Sequence, residues 1–235
     1  MKLKRILPLC SLLVTGVALS SFEGLTKEEP AKDIRSVAIL GDSYSTFENC
    51  VTPDTNAVWY YSYKQDCTDV DSVSQTWWGR FLDDTGLRLT VNNSFSGSTI
   101  CHTGYNGEDY TNRSFVNRMP TLGNPDLILV FGATNDYWAK VPFGNKDGET
   151  EMGLQAFLPA MHRLTAEMPR LYPDSRLCFM LNDEIQGEMR DSIISICSSG
   201  NIPVLQLENI DKQCGHPTAK GMAQINTQLK QLLGY

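Results

Sequence analysis

The chain has 235 residues, 41% of them hydrophobic and 20% charged, with a formal net charge of −7 at pH 7. That is enough apolar material for one globular domain with a substantial core, and a second domain is not required. The acidic balance argues against nucleic acid and anionic lipid as partners.

The first predicted element is a leader, not part of the fold. Lys2, Lys4 and Arg5 form a basic stretch, residues 6–17 a short apolar one, and Ala18-Leu19-Ser20 supplies small residues for a cleavage site. This reads as a secretory signal peptide over residues 1–20, too short for a stable membrane anchor. Pro8 and Leu9 before Cys10 are too bulky for a lipidation site. Losing this segment removes three cations and no acid, taking the net charge from −7 to −10. The mature protein is expected to be secreted or periplasmic, with no membrane attachment after cleavage. Residues 21–34 read as a linker and 35–235 as one domain.

Five β-type runs follow, at residues 36–40, 89–92, 127–131, 177–181 and 203–206. Several are almost wholly apolar, the pattern of strands covered on both faces. Helical stripes alternate with them. Val73, Trp77, Trp78, Phe81 and Leu82 make one, with both tryptophans expected in the core. Leu154, Phe157, Leu158, Met161, Leu164, Met168 and Leu171 make a longer one. Met189, Ile193, Ile196 and Cys197 form a third, and Met222, Ile225, Leu229, Leu232 and Leu233 the last. Such alternation predicts a parallel sheet with helices on both faces. Residues 48–71 and 97–122 are long, irregular and rich in Thr, Asn, Asp, Tyr and Gly, and both follow strand ends. Loops of this length overhang functional edges.

Four motifs close successive elements: Gly41-Asp42-Ser43-Tyr44-Ser45, Asn93-Ser94-Phe95-Ser96-Gly97-Ser98, Gly132-Ala133-Thr134-Asn135-Asp136, and Asp211-Lys212-Gln213-Cys214-Gly215-His216-Pro217. A serine just past the carboxyl end of a strand is placed to act as a nucleophile, and it needs a base within hydrogen-bond reach. Of the three histidines, His216 lies in a loop after the last strand and is the best base. His162 falls mid-helix, and His102 lies in the second long loop. Gly97, Asn135 and the Ser43 N–H are candidate donors to a developing oxyanion. Six cysteines remain after cleavage, which an oxidising compartment would pair. Cys50 with Cys67 is the favoured pairing, and Cys101 and Cys214 are expected to be neighbours. There is no Cys-x-x-Cys or His-Glu-x-x-His, so no metal site is expected.

Together the four motifs resemble the SGNH, or GDSL, hydrolase family over nearly all of residues 36–233. The resemblance implies a flavodoxin-like three-layer α/β/α sandwich with a five-stranded parallel sheet and no cofactor. It implies Ser43 as nucleophile, His216 as general base, and Ser43, Gly97 and Asn135 as the oxyanion hole. The chain departs from the family pattern at two places. Ala133 stands where a glycine is usual, which matters only if the backbone there needs a positive φ. Gln213 stands three residues before His216, where the family has its aspartate. Asp211 through a looser loop, Asp183 or Glu184 after the fourth strand, or a backbone carbonyl could orient the imidazole instead.

The loops carry aromatics: Trp59, Tyr60, Tyr61 and Tyr63 in the first, Tyr105 and Tyr110 in the second, with Tyr137 and Trp138 after Asn135. Such rings stack on sugars or line acyl pockets. Asp42, Tyr44, His102, Tyr137 and Trp138 are the candidate substrate contacts, and His102, Arg113 and Arg118 could read an acidic sugar. The expected partner is a small-molecule or polysaccharide ester, with short acyl groups such as O-acetyl favoured. Lysophospholipase or thioesterase activity on the same scaffold, or a silent carbohydrate-binding protein, are the alternatives.

Overall fold

The computed structural model describes residues 33–145 and 153–235. The expected signal peptide, and the expected linker up to residue 32, lie outside the described residues. Each apolar run forms a strand: β1 (Ser36–Gly41), β2 (Arg88–Ser94), β3 (Leu127–Phe131), β4 (Arg176–Leu181) and β5 (Val204–Gln206). The helices are α1 (Trp77–Thr85), α2 (Phe115–Arg118), α3 (Thr134–Ala139), α4 (Phe157–Leu171), α5 (Gly187–Ser199) and α6 (Ala219–Leu233). The two helices on one face of the sheet, α1 and α6, each start on a threonine cap. Thr76 accepts from the Gly79 N–H, and Thr218 from the Gly221 N–H.

The sheet is fully parallel, in the order β2-β1-β3-β4-β5. Successive side chains of β1 enter opposite cores, as a period of two requires. Val37 and Ile39 pack with Trp77 and Phe81 of α1 and Met222, Ile225 and Leu229 of α6. Ala38 and Leu40 pack with Phe157, Met161 and Leu164 of α4 and Ile193 and Cys197 of α5. The result is the three-layer α/β/α sandwich expected from sequence, with Trp77 and Trp78 in the core.

The strand order positions the site. The chain leaves β1 for β2 on one side and returns to β3 on the other, so a crevice opens beyond the carboxyl ends of β1 and β3. Register sets Gly41 beside both Ser94 and Phe131. The three motifs that follow β1, β2 and β3 therefore leave the sheet along one edge. The loop at 97–122 is less irregular than expected. It contains two 3-10 turns and α2, because Phe115, Val116 and Met119 anchor it in the core. Outside the main sheet, β6 (Lys212–Gln213) and β7 (His216–Pro217) form a small antiparallel hairpin. Among the described residues no helix is long and apolar enough to cross a membrane.

Candidate active site

β1 ends at a glycine for a steric reason. A Cβ on Gly41 would lie 2.5 Å from the Ser94 hydroxyl and 2.7 Å from Ser45 Cβ. Asp42 then turns the chain, its carboxylate accepting the Tyr44 N–H at 3.0 Å. This opens the single 3-10 turn Ser43–Ser45 with Ser43 as its first residue.

His216 reaches Ser43 from the other end of the chain. The tip of the β6–β7 hairpin is Cys214-Gly215, with φ of +49° and +76°. Two successive positive φ values are those of a type I′ turn. Glycine suits that conformation, whereas a side-chain-bearing residue costs about 1–2 kcal/mol there. His216 Nε2 lies 2.9 Å from Ser43 Oγ, and Nδ1 lies 3.1 Å from the Cys214 carbonyl oxygen. In the neutral ring, Nδ1–H donates to that carbonyl and Nε2 accepts from the Ser43 hydroxyl. The Trp59 ring stacks on the imidazole at 3.7 Å and 8°, while Tyr44 and Trp138 meet it edge-on at 5.3 and 6.0 Å. Burial pushes the His216 pKa down to about 4, opposed by the Cys214 carbonyl and by Glu184. The ring is therefore neutral at pH 7, the state a general base requires.

No carboxylate orients His216 by a hydrogen bond among the described residues, which corrects the expectation for Asp211. The Asp211 carboxylate accepts from the Thr218 hydroxyl and pairs with Lys220 at 3.5 Å, both at the start of α6. Asp183 and Glu184 are held by Lys212, whose ammonium also donates to Asn182 Oδ1 at 2.8 Å. Of the arrangements left open by sequence, the backbone carbonyl is the one present. Gln213, in the family's aspartate position, donates to the Asp66 carbonyl at 3.0 Å and so ties the hairpin to the first long loop.

The cysteines also correct an expectation. The disulfide joins Cys67 to Cys214 across 147 residues, and Cys50 is free, as are Cys101, Cys178 and Cys197. The hairpin tip lands on the 48–71 loop, so Cys67 meets Cys214 rather than its sequence neighbour. Cys101 is not Cys214's partner. It is buried, and its N–H donates to the Asp136 carboxylate at 3.2 Å.

The opposite wall comes from the motifs after β2 and β3. The Asn135 amide donates to the Ser98 carbonyl at 2.9 Å, and its oxygen accepts from the Tyr105 hydroxyl at 2.9 Å. One N–H of the amide is thus used in orienting it and a second remains on the same nitrogen. Gly97 adopts φ +79° with open space on its Cβ side. No backbone hydrogen bond among the described residues occupies the N–H of Ser43 or Gly97. The Asp136 carboxylate, with a pKa raised by burial to about 6, also accepts from the Ile100 N–H at 2.7 Å, fastening α3 to this segment. Ala133 does stand at a positive φ, +71°, so its replacement of the family's glycine carries a backbone cost.

The candidate substrate contacts separate into two groups. Asp42 and Tyr44 are buried and support the site from beneath, which corrects that expectation. Burial raises the Asp42 pKa to about 7, with the Tyr44 N–H and the Arg118 charge opposing it. The Tyr44 hydroxyl donates to the Gly215 carbonyl at 2.6 Å. Trp138 stays at the site, half-buried and donating from its indole to Glu184 at 3.0 Å, and Tyr137 is half-buried beside it. His102 lies just before the turn closed by the Thr103–Asp109 bridge, its carbonyl accepting the Tyr110 N–H, and among the described residues no hydrogen bond or ring contact joins it to Ser43 or His216. His162 is exposed on α4. Arg118 cannot read an acidic sugar, because it is 6% exposed and its guanidinium is engaged by Gly41, Asn93, Ser98 and Arg113.

Sequence reasoning missed three particular roles: Trp59 stacked on His216, Tyr105 bonded to Asn135, and Arg118 bracing the strand ends from behind. Trp59 and Tyr105 were legible only as aromatics in a polar loop.

Comparison with known proteins agrees with this fold. Residues 35–233 match the family model for GDSL-like lipase/acylhydrolase. A crystal structure from Bacteroides ovatus described as a GDSL-like lipase is 49% identical, with TM-score 0.83, covering 86% of this chain and 99% of that one. A second, from Bacteroides uniformis, is 44% identical, with TM-score 0.82, covering 86% and 97%. A family two carbohydrate esterase from Clostridium thermocellum, solved with cellohexaose, shares the fold at 15% identity and TM-score 0.59, covering 86% and 66%. A search of curated proteins finds no match.

Proposed function

The chain belongs to the GDSL-like lipase/acylhydrolase family, and from that premise we propose that it is an exported serine esterase hydrolysing short-chain carboxylic esters, O-acetyl groups on carbohydrate above all. The observation that carries this reading is the 2.9 Å approach of His216 Nε2 to Ser43 Oγ, with Nδ1 held by a carbonyl.

The reaction proceeds as a dyad. Nε2 takes the Ser43 proton as Oγ attacks the ester carbonyl. The carbonyl oxygen becomes an oxyanion facing the N–H groups of Ser43 and Gly97 and the Asn135 amide. One such donor is worth about 3–4 kcal/mol of barrier. The imidazolium formed meanwhile keeps its Nδ1–H on Cys214 and its face on Trp59, whose π-cloud favours the cation. Collapse breaks the ester C–O bond, and Nε2–H protonates the leaving alcohol. Water, deprotonated by His216, then attacks the acyl-enzyme and releases the acid and free Ser43.

Rings around the base support a carbohydrate leaving group. A cavity of about 400 Å³ borders Trp59, with Val58, Tyr61, Gln65 and Asp66 on its walls. The basic and apolar leader and the Cys67–Cys214 disulfide both favour an oxidising, exported setting.

The test is hydrolysis of 4-nitrophenyl acetate, butyrate and octanoate by the protein lacking residues 1–20, beside Ser43→Ala. Turnover that is highest on acetate and lost in the variant is the expected result. Rates that rise with chain length would point to a lysophospholipase or thioesterase. Equal rates for both proteins would overturn the esterase reading and favour a silent sugar binder.

A further inference from the structure

We propose that the Cys67–Cys214 disulfide is a positioning element for His216, which takes over through a fixed backbone carbonyl the task that the missing aspartate performs elsewhere in the family. This rests on the esterase reading above for its kinetic consequence, but not for its structural one.

Three observations converge on the hairpin tip. Cys214 is both a disulfide partner and the residue whose carbonyl holds His216 Nδ1. It occupies the first corner of a type I′ turn at φ +49°, where asparagine, aspartate or glycine is the usual residue. A cysteine there has no intrinsic preference for the conformation, so the turn depends on something outside itself. The bond through its Sγ supplies that constraint. It also joins the tip to the loop carrying Trp59, which stacks on the same imidazole, so one linkage fixes both the acceptor in the plane of the ring and the aromatic face above it.

The other anchors do not hold this carbonyl. Lys212 ties β6 to Asp183 and Glu184, Gln213 ties it to Asp66, and the Tyr44 hydroxyl holds the Gly215 carbonyl. Each fixes a neighbour of Cys214, as does the Gln213–His216 ladder pair, and none of them bonds the Cys214 carbonyl itself. A carbonyl that rotates away strands Nδ1–H and lets the ring turn, which removes Nε2 from Ser43. A charged carboxylate attracts the imidazole from a range of angles. A neutral carbonyl does so only if it is held.

Two variants test this. Cys67→Ser cuts the tether while leaving Cys214 in place. Cys67→Ser with Cys214→Asn cuts it but installs Asn-Gly, the sequence that favours a type I′ turn unaided. For Cys67→Ser the expected result is a kcat lower by about 10- to 100-fold, the usual scale for a misplaced catalytic group. KM should change little, and the acidic limb of the pH–rate profile should move upward as the loosened ring gains solvent. The double variant should recover most of the lost kcat. A purely structural disulfide would lower thermal stability in both variants, with no recovery of kcat and no movement of the limb, and that outcome would overturn the proposal. So would an unchanged kcat in folded Cys67→Ser. If the wild-type protein hydrolyses no ester, the esterase reading fails separately, and nitrogen NMR of His216 takes over. A change of its tautomer balance and pKa on cutting the tether supports the positioning role, and identical spectra refute it.

Discussion

Replacing Arg118 by methionine should show how much of the site's rigidity comes from one buried cation. Its guanidinium donates to the Gly41 carbonyl at 3.1 Å, the Ser98 hydroxyl at 2.9 Å, the Asn93 carbonyl, Asn93 Oδ1 at 3.1 Å, and the Arg113 carbonyl at 2.7 Å. It thus bonds the end of β1, the end of β2 and the segment beside Gly97. Burial depresses its own pKa to about 9, with the Asp42 charge opposing the fall. Methionine fills the space of the stem and donates nothing. Each buried acceptor left without a donor costs about 1–3 kcal/mol, but removal of a buried charge returns part of its desolvation, so a net loss of about 3–5 kcal/mol is expected. For a domain of this size that corresponds to a Tm lower by roughly 6–20 °C. Asp42 also loses its counter-charge, so its carboxyl should become still harder to ionise. Thermal unfolding followed by circular dichroism gives the measurement, with Arg118→Lys as the control that keeps the charge but not the planar fork. Lysine should fall between the two. A methionine variant melting within about 2 °C of the wild type would show that the guanidinium does not brace these strand ends.

The pH–rate profile supplies a second prediction. The base must be neutral, and its pKa lies at about 4, so kcat/KM should persist well below pH 6 and fall only near pH 4. An acidic limb near 6.5, the ordinary histidine value, would contradict the burial argument. The same shift bears on stability. The folded value lies below the unfolded one, so the contribution of His216 is complete above about pH 6.5 and is lost as pH falls toward 4, by roughly 3 kcal/mol in all. Asp42 and Asp136, raised to about 7 and about 6, act in the opposite sense and lose stability as pH rises through those values. Guanidinium titrations of the wild type and His216→Gln across this range should differ in slope by the histidine contribution. Third, Tyr105→Phe removes the hydroxyl that fixes the Asn135 amide. A neutral hydrogen bond of about 1 kcal/mol predicts a kcat roughly fivefold lower with KM unchanged, and an unaltered kcat would mean that Ser98 alone orients the amide.

The strands were readable because each is covered on both faces, so residues such as Val37 to Leu40 form an apolar run with little ambiguity. Ser43, Asn135 and His216 were readable because each directly follows, or closes, a recognisable element. The orienting group was not readable. A carbonyl has no letter in the sequence, and Gln213 gave only the absence of an acid. The cysteine pairing failed for a related reason. Proximity along the chain favoured Cys50 with Cys67, whereas the partner is chosen by where a hairpin 147 residues away comes to rest. Arg118 reads in the sequence as a cation for an acidic sugar because nothing local announces that five acceptors surround it. The cost at Ala133 depended on a backbone angle that only the turn into α3 imposes.

Ser43 and His216 belong to parts of the molecule with very different resistance to opening. Ser43 follows β1, an interior strand of the sheet whose residues enter both cores. His216 lies on a hairpin whose two strands have two residues each and make no ladder with the main sheet. Regions with so few shared backbone bonds depend on their outside anchors and open by local fluctuation once these are cut, below the free energy that unfolds the whole domain. With the Cys67–Cys214 bond reduced, amide exchange at the hairpin should therefore be fast while β1 stays protected. Loss of catalysis under mild stress is then a local event, reversible on reclosure, that leaves the sandwich intact.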